Sequence, residues 1–119
     1  MEAKWKSEPD SDDYVAASSY LNLLFHTEDV NKIVDNLKKA TVVGFLAKDI
    51  FRASNLSLLG VSNQQVQKDK AKIKTGDSLS PILLVRQPNL GKVIIADGYH
   101  RMCALYYYNE KAWIKCKIV

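Results

Sequence analysis

Apolar and polar residues alternate along this chain with two different periods, and the change between them marks its parts. In the first third the period is helical. Tyr14, Ala17, Leu21 and Leu24 recur at helical spacing, and Tyr20 and Leu23 widen the stripe. Asp12 or Asp13 is the expected cap, and His26 lies near the end, where a cation is favoured. A second helix follows, capped by Thr27 with Glu28 and Asp29 in its first turn. Val30, Ile33, Val34 and Leu37 form its apolar face, and Lys38 and Lys39 close it. Thr41–Ala47 then reads as a first strand, with Gly44 as a bulge position. Lys48–Ser54 is a short helix and Asn55–Val61 a loop. Ser62 with Gln65 forms a capping box for a helix reaching about Lys74 and ending on Gly76. Val66, Ala71 and Ile73 are its only apolar positions, so this helix is expected at the surface.

The last third follows a different rule. Ile82–Val85 and Val93–Ala96 are almost continuously apolar, as strands covered on both faces are. They form strands Ile82–Arg86 and Lys92–Ala96, joined by a turn at Gln87–Gly91. A helix from Tyr99 or His100 to Tyr108 follows, with Asn109 as its C-cap. Ile114–Ile118 alternates strictly, as a half-buried strand does. Residues 77–119 thus form a strand, turn, helix and strand. The expected organisation is a disordered arm over 1–10, a helical pair over 11–40 and a core over 41–119. The fold class is mixed α/β, one domain with a sheet of about four strands flanked by helices.

Composition changes this picture little. A chain of 119 residues, 47% hydrophobic, buries enough surface to fold as one domain without a staple. Cys103 and Cys116 fall at inward positions, neither at zinc-ligand spacing, and read as reduced core thiols. The first ten residues are polar and acidic, and no apolar run approaches the roughly 20 residues of a membrane span, so a cytoplasmic location without membrane contact is expected. The net charge is +4, but acidic residues crowd positions 1–13, while Lys68–Lys74 and Lys111–Lys117 are basic. That distribution suits a phosphate-bearing partner such as a nucleotide or DNA. Lys68, Lys70, Lys72 and Lys74 are spaced by two and spread around a helix rather than sharing one face. Tyr106, Tyr107, Tyr108 and Trp113 read mainly as packing residues, with a base-stacking platform as the alternative. The oligomeric state is not legible.

Chemistry concentrates in one turn, Asp97-Gly98-Tyr99-His100-Arg101, between a strand and a helix. A helix N-terminus offers unpaired N–H groups and partial positive charge. Gly98 lets the backbone approach an anion, Arg101 can grip a phosphate bidentately, and His100 can donate a hydrogen bond or a proton. Asp97, at the strand end, is the candidate for holding a metal or orienting the arginine. The plain alternative is a common Asp-Gly turn followed by solvated first-turn residues. Lys48, Asp49 and Arg52 are either the far wall of a nucleotide cleft or exposed residues of a short helix.

The run Ile94-Ile95-Ala96-Asp97-Gly98-Tyr99-His100-Arg101-Met102-Cys103-Ala104 resembles the signature of the ParB-like and sulfiredoxin-like superfamily. Leu79–Val85 is similar to the strand ahead of that signature, and Lys48–Arg52 to the segment after the first strand. The likeness covers residues 41–119; the N-terminal helices look like those of small ParB-like proteins of bacteria and their phages. The resemblance implies a mixed sheet with a nucleoside triphosphate, ATP or CTP with Mg2+, at the signature turn. Gly98, Tyr99, His100 and Arg101 would then contact phosphate, with Asp97 as metal ligand and Asp97 and His100 as catalytic groups. Two departures narrow this. Tyr99 stands where sulfiredoxins carry their reactive cysteine, and the sequence stops at Val119, where partition proteins continue into a DNA-reading domain. The expectation is a nucleotide- or phosphate-binding ParB-like domain, extending to weak nucleotide hydrolysis. The alternative is a non-enzymatic DNA- or protein-binding accessory module, with nuclease activity by family analogy only. Whether the chain is an enzyme stays open.

Overall fold

The computed structural model describes residues 2–59 and 63–119. In chain order the elements are β1 (Lys4–Trp5), α1 (Ser11–Leu21), α2 (Thr27–Lys39), β2 (Val43–Leu46), α3 (Ala47–Ser54), α4 (Gln64–Thr75), β3 (Ser78–Leu79), β4 (Ile82–Gln87), β5 (Lys92–Asp97), α5 (Tyr99–Tyr108) and β6 (Trp113–Ile118), with a 3-10 turn at Pro88–Leu90 between β4 and β5. The principal sheet has the order β2-β6-β4-β5. Its β2–β6 and β4–β5 pairs are antiparallel and its β6–β4 pair is parallel, so the sheet is mixed, as expected.

The continuous apolar runs explain the layering. Ile82 and Leu84, with Val93 and Ile95, face one core under α3, α4 and α5; Leu83 and Val85, with Ile94 and Ala96, face a second core under α1 and α2. Both faces of β4 and β5 are therefore covered, which removes the usual alternation. Each fully buried Leu, Ile or Val contributes roughly 1.5–3 kcal/mol, and β4 alone supplies four such side chains. Among the described residues no helix is long and apolar enough to cross a membrane.

The local readings hold in most places and shift in a few. The expected arm is ordered instead: Lys4 and Trp5 pair in parallel with Ser78 and Leu79, and the Lys6 N–H donates to the Leu79 carbonyl at 2.8 Å. Its partner strand lies more than 70 residues away, so composition near the N-terminus carries no sign of it. The cap of α1 is Asp10, whose N–H donates to Asp13 Oδ2 at 2.9 Å, rather than Asp12 or Asp13. His26, not Thr27, takes the N-cap position of α2. Only Ala17 and Leu21 of the α1 stripe are fully buried; Tyr20, Leu23 and Leu24 remain exposed. Gly44 sits in regular pairing with Lys115, not in a bulge, and the Trp113 ring lies beside it. Ser62 of the expected capping box lies outside the described residues. The cap seen is Asn63, whose Oδ1 accepts from the N–H groups of Gln65 and Val66 at 3.0 and 3.1 Å.

Lys117 departs furthest from the pattern. It should face solvent in an alternating strand, yet it is 1% exposed. Its ammonium reaches the end of α2, donating to the Lys38 carbonyl at 3.0 Å, and pairs with Glu8 at 3.2 Å. Burial pulls its pKa down, but Tyr14 and Glu8 more than reverse this, so it stands above the usual lysine value. A lysine thus satisfies one of the carbonyls that every helix end leaves without an intrahelical donor.

Candidate functional site

β5 ends on Asp97, and Gly98 turns the chain into α5 with φ of +104°. The register between β4 and β5 shifts there: Leu83 pairs with Asp97 and Leu84 with Ile95, leaving Ala96 without a partner of its own. Such an irregularity twists a strand end and re-aims the residue after it. Gly98 is required for two separate reasons. Its φ lies where L side chains are strained, and a Cβ would fall 2.7 Å from Ile82 Cγ1 and 2.8 Å from an Arg101 guanidinium nitrogen. Among the described residues no side chain caps α5, and its first intrahelical bond runs from the Met102 N–H to the Gly98 carbonyl at 2.9 Å. The N–H groups of Tyr99, His100 and Arg101 therefore have no intrahelical acceptor.

The five residues of the turn come together as the sequence suggested, but Arg101 arrives already paired. Its Nη2 donates to Asp97 Oδ2 at 2.8 Å, and Nη1 lies 3.9 Å from Asp13 Oδ1, with all three side chains largely buried. Nε is buried, with no hydrogen-bond acceptor among the described residues. Burial pushes the Asp97 carboxyl above its usual range; the Arg101 charge opposes this and Asp13 adds to the rise. Asp69, on the buried side of α4, is likewise raised by burial, with Arg101, Lys72, Gln65 and His100 pulling the other way. Asp10 is held low by hydrogen bonds from Lys6 at 2.9 Å and Ser80 at 3.0 Å. Asp13 and Asp69 therefore belong to the surroundings of Arg101 and were not legible. Asp13 reads locally as a helix-capping residue, and Asp69 as one more polar residue of a surface helix.

Tyr99 leans on the loop after α3. Its hydroxyl donates to the Ser57 carbonyl, and its ring lies 5.7 Å from that of His100. Burial raises the Tyr99 pKa, with Cys103 adding to it, and burial raises that of Cys103. Cys116 is pushed up to about 11 by burial, so both thiols are free, buried and protonated at neutral pH. His100 stays half-exposed beside the helix terminus. Lys48, Asp49 and Arg52 lie on the solvent face of α3, where Arg52 approaches Asp49 at only 3.9 Å.

A divalent metal fits this turn poorly. The Asp97 carboxylate is engaged by Arg101, and among the described residues no group of three or more His, Cys, Asp or Glu side chains gathers as a metal site. Compared with family models, curated proteins and solved structures, the chain matches none.

Proposed function

We propose that this chain is a phosphate- or nucleotide-binding domain whose anion site is the N-terminus of α5. One observation carries the reading: among the described residues α5 opens on a glycine without a side-chain cap, and its three first-turn N–H groups meet no acceptor there, beside the half-exposed His100 and the guanidinium of Arg101. A phosphoryl group placed there meets N–H donors, the positive end of the helix dipole and the imidazole. Asp97 acts as a positioning residue, holding Arg101 by a charged hydrogen bond along the strand-to-helix turn. Asp13 of α1 lies 3.9 Å from the same guanidinium and adds a second carboxylate beside it. The ParB-like resemblance of residues 94–104 supports the same assignment. Binding is the activity proposed; hydrolysis would need a group to activate water, and Asp97 is committed to Arg101.

The test is a thermal-shift titration of the full chain with pyrophosphate, ATP, CTP, GTP and ADP, with and without magnesium. A ligand that binds only the folded state raises the unfolding temperature by mass action. A rise for at least one ligand is expected, reduced in His100→Ala and in Arg101→Lys. The lysine replacement keeps the charge but loses the planar fork that holds the turn to Asp97 and faces Asp13. Absence of any rise at millimolar ligand, or a rise equal in both variants, overturns the assignment.

A further inference from the structure

We infer that the face formed by α4, the end of α5 and the start of β6 binds single-stranded nucleic acid. The reading stands apart from the phosphate site, which lies at the other end of α5.

The α4 residues Gln67, Lys70, Ala71 and Lys74 follow the i, i+3, i+4, i+7 spacing of one helix face. Across a groove of about 590 Å³ they meet Tyr107 and Tyr108. The Lys70 ammonium lies 5.8 Å from the centroids of both rings, and the two tyrosines keep 37% and 38% of their surface exposed. Tyr108 also lines a second groove, with Lys111, Trp113 and Lys115, and Trp113 is 63% exposed. Three exposed aromatic rings and four lysines thus share adjoining grooves.

Positive charge predominates on this face. Glu2 is the one carboxylate lining either groove among the described residues. Asp69 is buried on the inner side of α4, and Glu110 accepts from the Tyr106 hydroxyl at 3.4 Å. Among the described residues none of Lys70, Lys74, Lys111 and Lys115 forms an ion pair. Partly exposed aromatic rings interleaved with ammonium groups that lack a carboxylate partner match a strand whose bases stack while its phosphates are neutralised. In a duplex the base faces are already stacked on one another, so the rings have nothing to receive. The large exposed aliphatic side chains that a protein partner would bury, Val15, Leu23, Leu24, Val43, Leu56 and Leu90, lie outside α4, α5 and β6.

The test measures fluorescence anisotropy of labelled oligothymidylate and oligouridylate of about 15 nucleotides, near the upper site size of a compact module. A duplex of the same length is the control, and all are titrated with the full chain at increasing salt. Binding to one or both single strands, stronger than to the duplex, is expected; the two strands separate a DNA preference from an RNA one. Trp113→Ala should weaken binding about fivefold or more. Lys74→Glu with Lys115→Glu should flatten the salt dependence by roughly 1.4 log units per log unit, about 0.7 for each lost phosphate contact. Both lysines are exposed, so this variant stays folded by circular dichroism even where loss of Trp113 perturbs the strand it covers. Arg101→Lys should bind the strand as the unaltered protein does. No binding at low salt leaves the aromatic face to a protein partner and overturns the proposal. So does binding that persists through the lysine reversals, that equals the duplex, or that is lost in Arg101→Lys.

Discussion

The two ends of α5 differ in how their charges are met. At its start, Arg101 is enclosed by Asp97 and Asp13, with burial acting on all three. Ten residues on, about 15 Å along a helix, Lys70, Lys74, Lys111 and Lys115 stand beside exposed aromatic rings with no carboxylate paired to them. The start is the part whose sequence looks most like a motif, yet its side chains already satisfy much of one another. The far end carries no motif, yet its groups are free. In the proposed readings the turn would bind through backbone N–H groups that its own side chains do not cap, whereas the far face would bind through side chains alone. A substitution should therefore act on folding at the turn and on surface chemistry at the far face.

The largest effect that sharpens this contrast is at Gly98. Gly98→Ala places a Cβ against Ile82 in a backbone conformation that alanine resists, and should cost about 3 kcal/mol of stability. Urea unfolding measures it; a loss under about 1 kcal/mol would mean that the turn relaxes easily and is not the rigid platform described.

Next comes the ion pair. Arg101→Met leaves Asp97 buried beside Asp13 without its cation and should cost about 2 kcal/mol, somewhat less than a fully enclosed pair because the groups keep some solvent contact. Adding Asp97→Asn should recover part of that loss, since the unpaired charge is then gone. Strictly additive losses in the double variant would show that the two side chains do not act together.

The smallest effect is a pH dependence at Asp69, the one carboxylate of α4, which points inward while Lys70 and Lys74 point out. Its pKa is raised by burial above the ordinary 3.8, so between that value and the raised one the folded protein holds more protons than the unfolded chain. Stability contributed by the neutral acid is therefore full below 3.8 and falls as pH rises through this window. Asp97 acts in the same direction, and Asp10, held low, in the opposite one at lower pH. Asp69→Asn should gain on the unaltered protein as pH is raised across the window. Parallel unfolding curves for the two proteins at every pH would place Asp69 in solvent-like surroundings and remove it from the turn.

Much of the fold was legible. The continuous runs Ile82–Val85 and Val93–Ala96 announced strands covered on both faces, and the turn Asp97–Arg101 was placed correctly between strand and helix. Gly98 was read as an opening for an anion; the structure adds that Ile82 and Arg101 leave no room for anything else. The four lysines of α4 were expected to scatter. They do, but Lys70 and Lys74 fall on one stripe, and Tyr107 and Tyr108 lie opposite it.

What the sequence determined by itself rests on neighbours within about four residues: helical and strand periods, the Gly76 cap of α4, and the Asp-Gly turn at Gly98. Backbone hydrogen bonding and rotamer crowding act at that range, so pattern suffices. The tertiary structure alone decided which charges are buried and which are free. Lys117 is enclosed because the end of α2, 79 positions away, supplies a carbonyl. Arg101 is anchored because α1 brings Asp13 to it, and the N-terminal residues are ordered because Ser78 and Leu79 offer an edge. Burial and ion pairing depend on what lies opposite a side chain in space, and residues far apart in the chain carry no local mark of that.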